Sequence, residues 1–184
     1  MDLTATLAAG ETVRGVDFVE CRFDGGSFAQ ARLVGCRFED CEFDGVDLSM
    51  TDLTDSRIIG GRFVGCKMLA LPWGSLATGA VFDPPQFDRC RLDYASFAAC
   101  DLTRVTFRDC HLVEADLSGA RLRQATFAGS DLSGARFGGT DLRDASLVGA
   151  SGWVLDPRDN LVAGLEVEVA DAAGLLGPLG IRLR

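Results

Sequence analysis

Large apolar side chains recur every fifth residue through most of the chain. The first series runs Phe18, Phe23, Phe28, Leu33, Phe38, Phe43, Leu48, Leu53, Ile58, Phe63, Met68 and Trp73. The second runs Phe82, Phe87, Leu92, Phe97, Leu102, Phe107, Leu112, Leu117, Leu122, Phe127, Leu132, Phe137, Leu142 and Leu147. A period of five matches neither the 3.6 of a helix nor the 2 of a strand. It predicts a chain that turns after each short extended segment, stacking coil on coil. Two residues before many centres stands a small residue, as at Ala31, Thr51, Ser56, Ala95, Ala115 and Ala135. Two residues after them glycine is common, as at Gly25, Gly45, Gly65 and Gly119, where a tight turn needs unusual backbone angles. The positions flanking each centre are mainly polar and are expected to face water.

With 20 residues to a coil, residues 20 apart should stack. Phe23, Phe43 and Phe63 are expected to form one inner column, and Phe87, Phe107 and Phe127 another, continued by Leu147. Leu92, Leu112 and Leu132 should make a third. The spacing from Trp73 to Phe82 is one short of two repeats, so residues 74–81 should depart from regular coiling. That break is read either as a protruding contact loop or as a kink absorbed by the fold. The expected organisation is therefore a lead-in over 1–15, a repeat solenoid over 16–150 and a distinct segment over 151–184.

That last segment should hold a short helix near 168–176 followed by an extended tail. A solenoid end needs a cap, or its last coil exposes apolar surface and strand edges. Trp153, Leu175, Leu176, Leu179 and Ile181 are many large apolar groups for a terminus. They are candidates for an interface that joins two copies of the chain into a homodimer.

Composition narrows the chemistry. The 184 residues carry 27 acidic against 18 basic side chains, a net charge of −9, which argues against direct binding of nucleic acid. One histidine, His111, excludes a multi-histidine metal site. The seven cysteines, Cys21, Cys36, Cys41, Cys66, Cys90, Cys100 and Cys110, all occupy the small position two residues before a centre. That register marks them as small core residues rather than metal or redox groups, and no CxxC occurs. No cofactor is implied. Enzyme motifs such as GxSxG, HExxH and the P-loop are absent, and a convex rod offers no cleft, so the chain is read as a non-enzyme. The start lacks the basic region of a signal peptide and no apolar run of membrane-spanning length follows, which places the expected site of action in the cytoplasm.

The segments Ala115-Asp116-Leu117-Ser118-Gly119, Ser130-Asp131-Leu132-Ser133-Gly134 and Thr140-Asp141-Leu142-Arg143-Asp144 resemble the A-(D/N)-L-x-x unit of the pentapeptide repeat family. The resemblance covers roughly residues 16–150. It implies an all-β fold, a right-handed quadrilateral β-helix with four pentapeptides to a coil, here with a short C-terminal α-helical cap.

Acids gather toward the N-terminal coils. Residues 37–56 carry Glu39, Asp40, Glu42, Asp44, Asp47, Asp52 and Asp55 against Arg37 alone. Glu20 should stack above Asp40, and Asp24 above Asp44, building an acidic edge. The bland reading is a solvated face that keeps an all-β rod soluble. Cys66-Lys67-Met68-Leu69, then Trp73, the break just after it, and Ala172-Ala173-Gly174-Leu175-Leu176 with Leu179-Gly180-Ile181-Arg182-Leu183 resemble the gyrase-protecting subgroup of that family. That subgroup includes the Qnr-type proteins and others acting against fluoroquinolones or albicidin. The resemblance implies a dimer built end to end through the C-terminal segment, imitation of duplex DNA, and binding to DNA gyrase and to topoisomerase IV. B-DNA carries one charge per roughly 1.7 Å, so mimicry by this chain is strong only locally, in the acidic coil. The other expectation is an interaction scaffold with no topoisomerase role.

Overall fold

The computed structural model describes residues 2–76 and 84–182. Four parallel ladders line the chain, and their rungs show how it coils. On the first face Arg22 pairs with Glu42, Glu42 with Arg62, Arg62 with Gln86 and Gln86 with Thr106. Single bridges carry that ladder on through Thr126 and Ser146 to Glu166. The second face runs Ser27, Asp47, Lys67, Arg91, His111, Asp131 and Ser151. The third holds Thr12, Arg32 and Asp52 and, further on, Pro72, Ser96, Asp116 and Arg136. The fourth holds Asp17, Arg37 and Arg57 and, further on, Asp101, Arg121, Asp141 and Leu161. Each face is displaced by five residues from the last, so the chain visits four faces per coil. The result is a four-sided β-solenoid with one short helix near its C-terminus, Ala173–Leu176.

The bulky centres point inward and stack on their equivalents in the next coil. On the first face the rings of Phe23, Phe43 and Phe63 lie 4.7 Å apart and nearly parallel. The column does not end there. Phe63 stacks on Phe87 at 5.2 Å, and Phe107 and Phe127 follow at 4.9 and 5.2 Å. The two columns expected from the sequence are thus one.

The cause lies in the break. Phe63 pairs with Phe87 and Lys67 bridges to Arg91, each pair four residues further apart than the usual spacing of 20. The coil from Phe63 to Phe87 is therefore a full coil with four added residues, where the sequence suggested two repeats less one residue. The inserted length leaves every later centre on its original face. A turn of 3-10 helix, Trp73–Ser75, opens this coil, and Trp73 donates its backbone N–H to the Ser96 carbonyl at 2.9 Å. Residues 77–81 of the expected break, with Phe82, lie outside the described residues.

The small positions fill the space beside the columns, and their polar atoms serve the backbone. Thr51 Oγ1 donates to the Phe28 carbonyl one coil back at 2.8 Å, and Ser56 Oγ to the Leu33 carbonyl at 2.6 Å. The cysteines do the same: Cys41, Cys66 and Cys90 donate to the carbonyls of Phe18, Phe43 and Phe63 at 3.3 to 3.4 Å. All seven are free thiols. Hydrogen bonding to Cys110 and Cys66, then burial, pushes the Cys90 thiol up; burial pushes Cys41 up and takes Cys100 to about 11. Hydrogen bonding to Cys90 holds the Cys66 and Cys110 thiols below their ordinary range.

Pairing outlasts the bulky centres at both ends. Asp2–Thr6 pairs with Arg22–Ser27, and Thr12–Arg14 with Arg32–Val34. Beyond Ala150 the expected stop does not occur. Ser151, Leu161 and Glu166 still bridge to the coil before. A backbone ladder needs no bulky residue at each rung, so coiling carries through Gly152 and Pro157 to the next apolar centres, Val162 and Val167. Asn160 secures the last coil from the buried position: its Oδ1 accepts from the Thr140 N–H at 2.8 Å, and its amide donates to the carbonyls of Phe137 and Asp156.

The cap then folds across the open end. Val169–Asp171 is a 3-10 turn, and the helix follows it. Gly174 lies on Trp153 so closely that a Cβ there would stand 2.5 Å from the ring. Arg158 ties the cap down, with Nη2 donating to Asp156 and to the Pro178 carbonyl.

Candidate functional site

The acids of this chain divide into two kinds, and the division decides where a site lies. One kind sits just before an apolar centre. There Oδ1 of Asp47, Asp52, Asp101, Asp116 and Asp131 accepts from the backbone N–H two residues on, at 2.9 to 3.2 Å. This is the local side-chain bond that stabilises turns. The hydroxyl and N–H of Thr54, ahead of Arg32, hold Asp52 below the usual carboxylate range. Its acidity follows from turn chemistry. Asp52→Ala should cost about 1 kcal/mol in urea unfolding, and Asp52→Asn, which keeps an acceptor, distinctly less.

Asp24, Asp40, Glu42 and Asp44 accept no such bond among the described residues. Glu20 and Asp40 stand at the corner between the fourth and first faces, both at φ 50°. Asp24 pairs in register with Asp44, and Glu42 lies between Arg22 and Arg62. The expected stacking of Asp24 on Asp44 is present, and Val19 pairs with Glu39, which brings Glu20 above Asp40. Glu20, Asp24, Asp40, Glu42 and Asp44 thus gather along one edge.

The remaining predicted acids do not join them. Glu39 is on the fourth face against Arg37, Asp47 on the second against Lys67 at 3.2 Å, and Asp52 on the third against Arg32 at 3.1 Å. Asp55 occupies the corner between the third and fourth faces. Within the edge, Asp44 meets Arg22 at 3.4 Å, while Asp24, Asp40 and Glu42 are exposed and form no ion pair among the described residues. The edge is narrower than the sequence implied, because bases on neighbouring coils are invisible to a count along the chain.

The predicted interface residues separate as well. Trp153 is 4% exposed, covered by the cap of its own chain, so it supports the end of the rod instead of facing a partner. Leu175 and Leu176 are half-buried, and Leu179 and Ile181 are exposed. The core residues Phe23, Phe43, Phe63, Phe87, Phe107 and Phe127 all lie in the column described above. His111 is exposed on the second face. Sequence reasoning missed Asn160, although Asn160, Leu165 and Val167 keep the five-residue register past residue 150.

No helix among the described residues is long and apolar enough to cross a membrane. Five-residue units, four faces and one continuous core define a pentapeptide-type β-solenoid. Two family models agree: one for a pentapeptide repeat region matches residues 78–151, and one for nine copies of the pentapeptide repeat matches residues 12–52. The chain belongs to the pentapeptide repeat family. No curated protein matches the sequence. Among solved structures, trypsin-treated QnrB1, a plasmid-mediated fluoroquinolone resistance protein, superposes with a TM-score of 0.67 at 20% identity, covering 100% of this chain and 95% of that one. HetL, a pentapeptide repeat protein involved in heterocyst differentiation regulation in the cyanobacterium Nostoc, superposes with a TM-score of 0.66 at 20% identity, covering 90% of this chain and 84% of that one. At such identities the likeness is one of fold.

Proposed function

We propose that this rod is a non-enzymatic DNA mimic that binds DNA gyrase, and topoisomerase IV, in the cytoplasm and protects it from a topoisomerase poison, giving antibiotic resistance or self-immunity. The observation that carries the reading is the edge of acids that turn chemistry does not require. Glu20, Asp24, Asp40, Glu42 and Asp44 with Arg22 give net −4 over two rungs. Two rungs span about 10 Å, where duplex DNA carries about six charges. The density is of the right order to meet a basic DNA-binding saddle. Protection would follow from competition with DNA or from loosening of the poisoned cleavage complex. The match to a fluoroquinolone resistance protein supports this reading. Leu175, Leu176, Leu179 and Ile181 offer the surface through which two rods would join end to end, doubling the length of the mimic.

The test is direct. Purified chain at micromolar concentration should restore supercoiling by gyrase in the presence of a poison and reduce trapped cleavage complexes. Absence of both effects would favour the second reading, an interaction scaffold without a topoisomerase role, which the likeness to HetL keeps in view.

A further inference from the structure

The corner between the second and third faces lies diagonally opposite the acidic edge, and its surface is of another kind. It carries Gln30, Met50, Ala70, Tyr94, Glu114 and Gly134 on successive coils, all in the left-handed backbone region. Tyr94 is the one tyrosine of the chain and stands at φ 62° with 60% of its surface exposed. A bulky side chain gains nothing from that conformation, which glycine adopts at least cost. Nor does the ring fill the core. Neither backbone nor packing accounts for a tyrosine here.

Beside it is a notch of about 330 Å³ lined by Leu69, Arg91, Asp93, Tyr94, His111 and Val113. Leu69 and Val113 supply apolar contact, and the Tyr94 ring supplies a face for stacking. One wall is polar. Lys67, Arg91 and His111 follow one another on the second face, bracketed by Asp47 and Asp131. Lys67 is paired with Asp47. Arg91 spends one contact on Asp93, at 3.2 Å, which leaves most of its fork free and pairs that buried carboxylate. Glu114 is the acid on the far rim.

We propose that this notch binds a small aromatic carboxylate, its ring against Tyr94, Leu69 and Val113 and its carboxylate on Arg91 and His111. The notch is shallow and open to solvent, and a planar fork beside an exposed aromatic face recognises that pairing of groups. The site stands on an edge remote from the acids, so it is independent of the proposed contact with gyrase.

One histidine and one tyrosine make the test simple, because each contributes a single set of aromatic carbon–proton NMR signals. The probe is 2-naphthoate added to the full chain, with acetate and 2-naphthalenemethanol as controls. Saturable shifts of both His111 and Tyr94 are expected, with a dissociation constant on the order of 1 mM. Acetate and the alcohol should each bind about tenfold more weakly, since each lacks half of the recognised chemistry. Tyr94→Gly should lower affinity about tenfold with a Tm equal to or above that of the parent, because glycine suits the backbone there. Arg91→Gln with Asp93→Asn should weaken naphthoate and leave the alcohol unchanged. Absence of saturable shifts, equal binding of the alcohol, or full binding by Tyr94→Gly would each overturn the proposal. A Tm several degrees lower for Tyr94→Gly would assign the ring a structural role and overturn it too.

Discussion

Replacing Asp24, Asp40 and Glu42 together by lysine should abolish protection of gyrase while leaving the rod folded. Among the described residues these three acids are exposed, form no ion pair and satisfy no backbone group. Their loss therefore costs the solenoid little, in the range of ordinary surface changes, about 0.5 kcal/mol each. The change in surface charge is six units, concentrated on one edge. Binding by such an edge is long-range and salt-dependent, so it should respond steeply to that reversal. The measurement pairs a supercoiling assay with poison against thermal unfolding. The matched control is Asp47 and Asp52 to asparagine, which removes two charges on other faces while keeping turn acceptors. Protection should survive in the control. Loss of protection in both variants alike would show that net charge, not the edge, is what gyrase reads. Full protection by the folded lysine variant would remove the edge from the mechanism.

Phe63→Ala should be the most damaging single change in the core. Its ring lies between those of Phe43 at 4.7 Å and Phe87 at 5.2 Å, with Trp73 edge-on at 5.9 Å. It is also the last ring before the longer coil, so it holds the two repeat series together. Removing a buried phenyl without collapse of its surroundings costs about 3–5 kcal/mol. Neighbouring coils cannot close the gap, because their ladders fix the rung spacing. Phe18→Ala, at the half-buried start of the fourth-face column, should cost about 1–2 kcal/mol, since less surface is lost there. Urea unfolding of the two variants would show the difference. Equal costs would mean that the column does not act as one core.

Much of the fold was legible because every coil repeats the same physical demand. A bulky centre, a small neighbour and a turn residue fix the inward face, the packing partner and the corner. Glycine at the corners was readable; Tyr94 in the same backbone state was not, since nothing in its own repeat announces it. The break misled because a count of nine fits two repeats less one as easily as one repeat plus four. The pairing of Phe63 with Phe87 and the bridge from Lys67 to Arg91 separate them. Coiling beyond Ala150 was hidden because Gly152 and Pro157 stand where the next two bulky centres should be, although Val162 and Val167 then resume the register. The acidic edge was half legible. Asp24 over Asp44 follows from spacing alone, whereas Arg22, Arg32 and Lys67 reach their acids from adjacent coils.

The longer coil has a further consequence, which concerns rotation. Adding a whole coil to such a rod lengthens it and turns nothing. Adding a single five-residue unit advances everything beyond it by a quarter turn about the long axis. Four residues inserted at one site do neither, since the ladders on both sides keep their faces. The bearing of the cap relative to the acidic edge is therefore fixed by how many complete units lie between them. Loop length at the break can vary without changing it. Insertions of five, ten or fifteen residues elsewhere would swing one end against the other by 90° steps, and a dimer joined through the cap would double each swing.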